Sequence, residues 1–185
     1  MPTTKTALLV IDIQNDYFPG GAFPLWEADA VLERNEQAIL QARKIGMPVI
    51  LVQHVADASK GMAPFFNAGT PGVDIHPRIV AAAPDAPVII KAFADSFHQT
   101  KLEACLNALG IEHLLISGMM TQNCVTHTAL SRTADQYQVT ILGDCCTTVS
   151  QMLHLIALNA VATRLTVNDA HKAFSSLATE NQHQG

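Results

Sequence analysis

Three residues able to take part in covalent chemistry stand where apolar runs end. Asp12 closes the run 6–12 (TALLVID) and Lys91 closes 87–91 (PVIIK). Cys124 follows the run 112–117 after a short turn, Gly118-Met119-Met120-Thr121-Gln122-Asn123. A carboxylate, an ammonium and a thiol supply a base, a charge-holding cation and a nucleophile. Each also has a plainer reading. An Asp after a first strand often caps a helix or binds magnesium, a strand-end Lys is usually solvated, and a lone Cys more often packs. A cysteine near a helix start would gain from the dipole and free N–H groups, which favour the thiolate.

The elements that would position these residues are legible from periodicity. The run 6–12 is nearly all apolar, as expected of a strand covered on both faces. Residues 28–45 place Val31, Leu32, Asn35, Ala38, Ile39, Ala42 and Ile45 on one helical stripe, and Gly46 is a natural stop. Further strands read at 48–54, 87–91, 112–117 and 138–142, with a short sixth at 164–167. Helices read from Thr100 to Gly110, where Thr100 and Glu103 have capping-box spacing, and at 122–136 and 151–162. This alternation predicts an α/β fold: a doubly wound, mainly parallel sheet of about six strands with helices on both faces. Ligands of such sheets bind beyond the carboxyl ends of the strands. Asp12, His54, Lys91 and Cys124 would therefore share one rim. The irregular stretch 55–86, rich in Ala, Gly and Pro, reads as a wall or lid over a site or as an oligomer contact.

Composition bounds the rest. The chain has 185 residues, expected to form a single domain over 1–185 with a core that needs no disulfide or metal. Apolar residues make up 49% and charged residues 15%, against about 25% charged in typical soluble domains. Net charge is −5 without a Lys/Arg cluster, so a nucleic-acid partner is not expected. No apolar run approaches the ~20 residues of a membrane span, and the first run is too short for a signal peptide. The chain reads as cytoplasmic, and its four cysteines as thiols. The sparse charge points to a homo-oligomer, a dimer or tetramer.

The segments Asp12-Ile13-Gln14-Asn15-Asp16-Tyr17-Phe18, Lys91 with Phe93, Ser96 and Phe97, and Gly118-x-x-Thr121-x-x-Cys124-Val125 with Thr128-Ala129 carry a resemblance. Together they resemble the isochorismatase-like cysteine hydrolases, a superfamily of nicotinamidases, carbamoyl-amide, ureidoacrylate and biuret amidohydrolases, and isochorismatase itself. The similarity runs over about residues 6–170, and the pairing of the first and last segments is its specific part. It implies that Asp12, Lys91 and Cys124 are catalytic, with a cis peptide between Met119 and Met120. It also implies an oxyanion hole from the backbone N–H groups of Met120 and Cys124. Gln14, Phe18, His54 and Phe93 are the candidate substrate contacts. The aromatic residues among them are more often plain core, and His54 could equally be a buried structural histidine.

Departures from the resemblance narrow it. Nicotinamidases of the superfamily hold a metal with Asp-x-His after the second strand, where this chain has Val52-Gln53-His54-Val55-Ala56-Asp57. Asp74-Ile75-His76 has the letters but lies about twenty residues too late. No metal and no cofactor are expected. The leading reading is hydrolysis of a C–N bond in a small amide or carbamoyl compound through a Cys124 thioester, with Asp12 as general base and acid and Lys91 as cationic partner. Isochorismatase-type vinyl-ether hydrolysis using Asp12 is the alternative, although it gives Cys124 no task. A magnesium-dependent phosphohydrolase would want Asp at position 14, and a non-catalytic binding module would not need all three residues.

Overall fold

A computed structural model describes residues 6–182, with side chains to residue 178. Six strands form one sheet in the order β3-β2-β1-β4-β5-β6. They are β1 (Thr6–Ile11), β2 (Val49–His54), β3 (Val88–Lys91), β4 (His113–Met119), β5 (Gln138–Thr147) and β6 (Thr166–Asn168), and every pairing is parallel. The central strand β1 is buried along its whole length, which explains its unbroken apolar sequence. Its residues divide by the period of two. Leu8 and Val10 enter one core with Val31, Leu32 and Ile39 of α1 (Ala28–Lys44). Ala7, Leu9 and Ile11 enter the other with Leu102 and Leu106 of α3 (Leu102–Ala108) and Val161 of α5 (Gln151–Val161). Helices thus cover both faces. No helix among the described residues is long and apolar enough to cross a membrane.

From β1 the chain winds outward through β2 to β3, then crosses to the other side of β1 for β4. The switch point between β1 and β4 is where such sheets open a crevice. Gly118 makes the approach possible there. Its φ is +123°, and a Cβ would lie 2.0 Å from the carbonyl oxygen of Ile11, its partner on β1. The next peptide, Met119–Met120, is cis.

Several expected elements differ. The helix read over 122–136 is a wide five-residue turn (Thr121–Val125), a single α turn α4 (Thr126–Ala129) and a 3-10 turn (Arg132–Gln136), because Ser131 accepts from Thr133 N and starts a new segment. The strand read over 138–142 runs to Thr147, so Cys145 and Cys146 lie within β5 rather than after it. The capping box does not form. Thr100 Oγ1 accepts from Leu102 N, while Glu103 reaches across to Gln136. The stretch 55–86 carries 3-10 turns at Ala58–Lys60 and Pro71–Val73 and the short α2 (Pro77–Ala82). The strand read at 164–167 is β6 at 166–168, and α6 (Ala170–Gln182) was not read from the periodicity.

Candidate active site

Asp12, Lys91 and Cys124 converge at the switch point. Lys91 Nζ lies 2.7 Å from Asp12 Oδ2 and 3.2 Å from Cys124 Sγ. It also lies 3.0 Å from both His54 Nδ1 and the carbonyl oxygen of Phe93. All three reactive residues are buried, Asp12 at 0% and Lys91 and Cys124 at 2% exposure. Two concavities lie elsewhere. One of about 520 Å³ lies at the opposite rim, by the starts of β2 and β3. Another of about 600 Å³ lies between the 15–22 and 67–76 turns.

Local backbone explains the convergence. Asp12 follows β1 with φ of +52°, a left-handed conformation that Asp tolerates better than most side chains but that still costs about 1–2 kcal/mol. Asp12 N donates to Val52 O and its carbonyl accepts from Gln14 N, which hold that conformation. Strain of this kind persists only where surrounding bonds enforce it. Cys124 sits in the wide turn, where Asn123 N and Val125 N both donate to Met120 O. π-type turns recur at functional sites. Lys91 ends β3 directly beside His54 of β2, its register partner.

Burial is the largest influence on Cys124 and raises its pKa, the Asp12 charge raises it further, and Lys91 only partly opposes them. The thiol therefore keeps its proton at rest. The dipole argument for a thiolate fails here, because the helix beyond the turn has one turn only. Burial works against the Lys91 charge, but Asp12 and then Cys124 outweigh it and hold the ammonium above the usual lysine range. The cluster can thus move a proton from sulfur to carboxylate beside a fixed positive charge. Asp12, His54 and Cys124 place ligand atoms within 4.8 Å of one another, the spacing of a metal site. Lys91 Nζ is in contact with all three residues, so an ammonium already stands where a metal cation would. Asp74 and His76 join no such group among the described residues. His76 instead caps α2 and packs on Phe18.

The expected substrate contacts separate. His54 is half-buried and joined to the cluster through Lys91. Gln14 is corrected to a structural role. Its Nε2 donates to His54 O and Val73 O and its Oε1 accepts from His54 N, so no amide N–H remains for a substrate. Phe18 is 5% exposed and belongs to the core. Phe93 is half-buried, and its carbonyl rather than its ring meets Lys91.

Other site features had no strong sequence signal. Tyr17, Phe65 and Phe66 pack together with centroids 4.6–5.3 Å apart, and Phe66 lies 5.8 Å from the His54 ring. Asp16 accepts from Ala22 N and Phe66 N and so ties the turn after β1 to the 55–86 stretch. Gly72 closes over it, since a Cβ there would sit 2.0 Å from the Asp16 carboxylate. Behind the cysteine turn, Thr121 Oγ1 lies 2.8 Å from His154 Nδ1 of α5. Only the Asp-x-Gln-Asn-Asp and Gly-x-x-Thr-x-x-Cys letters hinted at Asp16 and Thr121.

Fold and site together define a doubly wound α/β protein whose switch point holds a buried thiol, carboxylate and ammonium in mutual reach. The Isochorismatase domain model matches residues 6–171, and the chain belongs to the isochorismatase family, which is a family of hydrolases. The chain is 35% identical over 145 residues to the uncharacterized isochorismatase family protein YddQ of Bacillus subtilis, covering 78% of this chain and 79% of that one. It is 35% identical over 123 residues to a streptothricin hydrolase of Streptomyces noursei, covering 66% of this chain and 42% of that one. Among solved structures, an isochorismatase family protein of Desulfovibrio vulgaris superposes with a TM-score of 0.84 at 26% identity, covering 94% and 98% of the two chains.

Proposed function

We propose that this chain is a cysteine hydrolase that cleaves a C–N bond in a small amide or carbamoyl compound. The observation that carries the reading is Lys91 Nζ bridging Asp12 and Cys124 at 2.7 and 3.2 Å, all three residues buried. The Cys124 proton passes to Asp12 as sulfur attacks the carbonyl carbon, and Lys91 balances the charge that moves through the cluster. The tetrahedral oxyanion is received by the backbone N–H groups of Met120 and Cys124, donors of a kind worth roughly 3–4 kcal/mol each. The C–N bond breaks, the nitrogen leaves with the proton from Asp12, and a thioester remains on Cys124. Asp12 then takes a proton from water as its oxygen attacks the thioester carbon; the C–S bond breaks, the acid is freed, and Asp12 returns the proton to the Cys124 sulfur.

Relatives named nicotinamidase/pyrazinamidase, maleamate amidohydrolase and ureidoacrylate amidohydrolase support a small amide as substrate. Vinyl-ether hydrolysis would leave the thiol without a task, which favours the amide reading. The unit is one hydrolase domain over 1–185, working as a homo-oligomer in the cytoplasm.

The test is ammonia release over a panel containing nicotinamide, maleamate, ureidoacrylate, and small ureas and carbamates. The turnover-competent amide should leave an acyl group on Cys124, seen by mass spectrometry after acid quench. Turnover that survives Cys124→Ala would overturn the reading.

A further inference from the structure

Lys91 has three N–H groups and four acceptors in reach. They are Asp12 Oδ2 at 2.7 Å, His54 Nδ1 and Phe93 O at 3.0 Å, and Cys124 Sγ at 3.2 Å. The proton pattern around this ammonium is therefore decided by which neighbours accept. Phe93 O always accepts. His54 Nδ1 accepts only when the ring is neutral with its proton on Nε2. We propose that His54 is a positioning residue for Lys91: as the neutral imidazole it accepts one ammonium proton through Nδ1 and so, with Phe93 O taking a second, aims the third N–H into the space between Asp12 and Cys124. This rests on the cysteine-hydrolase reading above and deepens it by naming the group that sets its acid limit.

Three observations support the assignment. His54 and Lys91 are register partners on adjacent parallel strands, so their side chains leave the sheet on the same side. The His54 backbone is clamped in both directions by Gln14, which fixes where the ring can be. Burial and then the Lys91 charge hold His54 below the ordinary imidazole value of 6.5, with Asp12 opposing, so the neutral acceptor persists at neutral pH. The charged and titratable groups facing the ring are Lys91 of β3, Asp12 after β1 and Cys124 of the turn after β4. Across Phe66 lies Tyr17, whose phenol is kept protonated by burial.

The sign follows. Above its lowered pKa, His54 is neutral and holds Lys91. Below it, the ring gains a proton on Nδ1, turns from acceptor to donor, and sets a second positive charge against the ammonium. Lys91 must then turn away, and activity falls on the acid side.

The experiment measures kcat/KM from about pH 8 to about pH 5 with the best amide of the panel, for the wild type, His54→Gln and His54→Leu. Glutamine can still accept through its carbonyl oxygen but does not titrate. Its acid limb should move down by about one pH unit or more, with a plateau within about tenfold of wild type. His54→Leu should lose about 10- to 100-fold at every pH, in kcat more than in KM. An unmoved acid limb in His54→Gln, or full activity in His54→Leu, would overturn the proposal.

A second arm needs no turnover, so it separates failure of this proposal from failure of the hydrolase reading. In ¹⁵N–¹H imidazole spectra, with His54 assigned by its loss in His54→Gln or His54→Asn, the ring should carry its proton on Nε2 and titrate below 6.5. Lys91→Gln should raise that titration. An Nδ1–H tautomer, or a titration that Lys91→Gln leaves in place, would refute the contact.

Discussion

Gln14 and His54, forty positions apart, exchange hydrogen bonds in both directions at 2.8 Å, and Gln14 adds a third to Val73 O at 2.7 Å. One side chain thereby joins the end of β1, the end of β2 and the stretch between β2 and β3. Gln14→Leu would leave buried backbone groups without partners, at about 1–3 kcal/mol for each group stranded. The expected result is a loss of about 2–4 kcal/mol, or a fall in Tm of roughly 5–15 °C for a chain of this size, with at least tenfold lower kcat/KM. Gln14→Glu should be no better, because a carboxylate cannot donate to His54 O and Val73 O. Thermal unfolding beside steady-state kinetics checks both.

Asp12 and Lys91 should behave as one unit. Asp12→Asn keeps the shape but cannot accept the sulfur proton, so kcat/KM should fall by about 10²–10⁴-fold. Lys91→Ala should also be severe, and Lys91→Arg less so, because it keeps the charge but sets a larger planar fork in a fully buried position. The double variant Asp12→Asn, Lys91→Ala should cost far less than the product of the single losses. Multiplicative losses would mean that the two act independently.

The cysteines should divide by environment. Cys124 should be alkylated by iodoacetamide at neutral pH with loss of activity, and more slowly in Asp12→Asn, since burial and Asp12 keep the thiol protonated until the carboxylate takes its proton. Cys145 and Cys146 are as buried as Cys124, with pKa values also raised and that of Cys146 pushed up to about 12 by burial. Neither has the Asp12–Lys91 pair to take its proton and balance the charge, so both should stay unmodified in the folded protein. Cys105 is partly exposed, and its modification should not change turnover. Peptide mapping against residual activity distinguishes these outcomes.

Metal removal should leave activity intact. Lys91 Nζ touches Asp12, His54 and Cys124, the set that would otherwise make a cation site. Activity after exhaustive dialysis against a chelator should match the untreated enzyme. Activity that tracks the occupancy of one zinc or iron per chain would count against the mechanism.

Assembly should be visible in solution. The α5 helix has no charged residue, and Met152, Leu155 and Ile156 stand 74%, 49% and 58% exposed on it. Apolar surface gathered in this way on a soluble chain usually marks a contact. Light scattering at micromolar concentration should give a dimer or larger species, and Ile156→Lys should shift it toward the 19.9 kDa chain.

The amino-acid sequence by itself determined the layer architecture and the rim at which Asp12, Lys91 and Cys124 would gather. Both follow from local physics: a short, continuous apolar run such as 6–12, in a chain where such runs alternate with helical stripes, fits a strand buried on both faces, and the ends of parallel strands share one side. Helix boundaries that depend on side-chain competition were less legible. Nothing in the letters of 122–136 announces that Met120 O will gather Asn123 N and Val125 N into a wide turn, or that Ser131 will restart the chain. The contacts of Gln14 and His54 were decided only by the tertiary structure. A glutamine amide or an imidazole can serve a substrate or the protein equally well, and its partners here lie tens of residues away, on β2, β3 and the stretch after β2. The protonated state of Cys124 was likewise out of reach, because burial and the charges of Asp12 and Lys91 set it, and these come together only once β3, β2, β1 and β4 have formed one sheet.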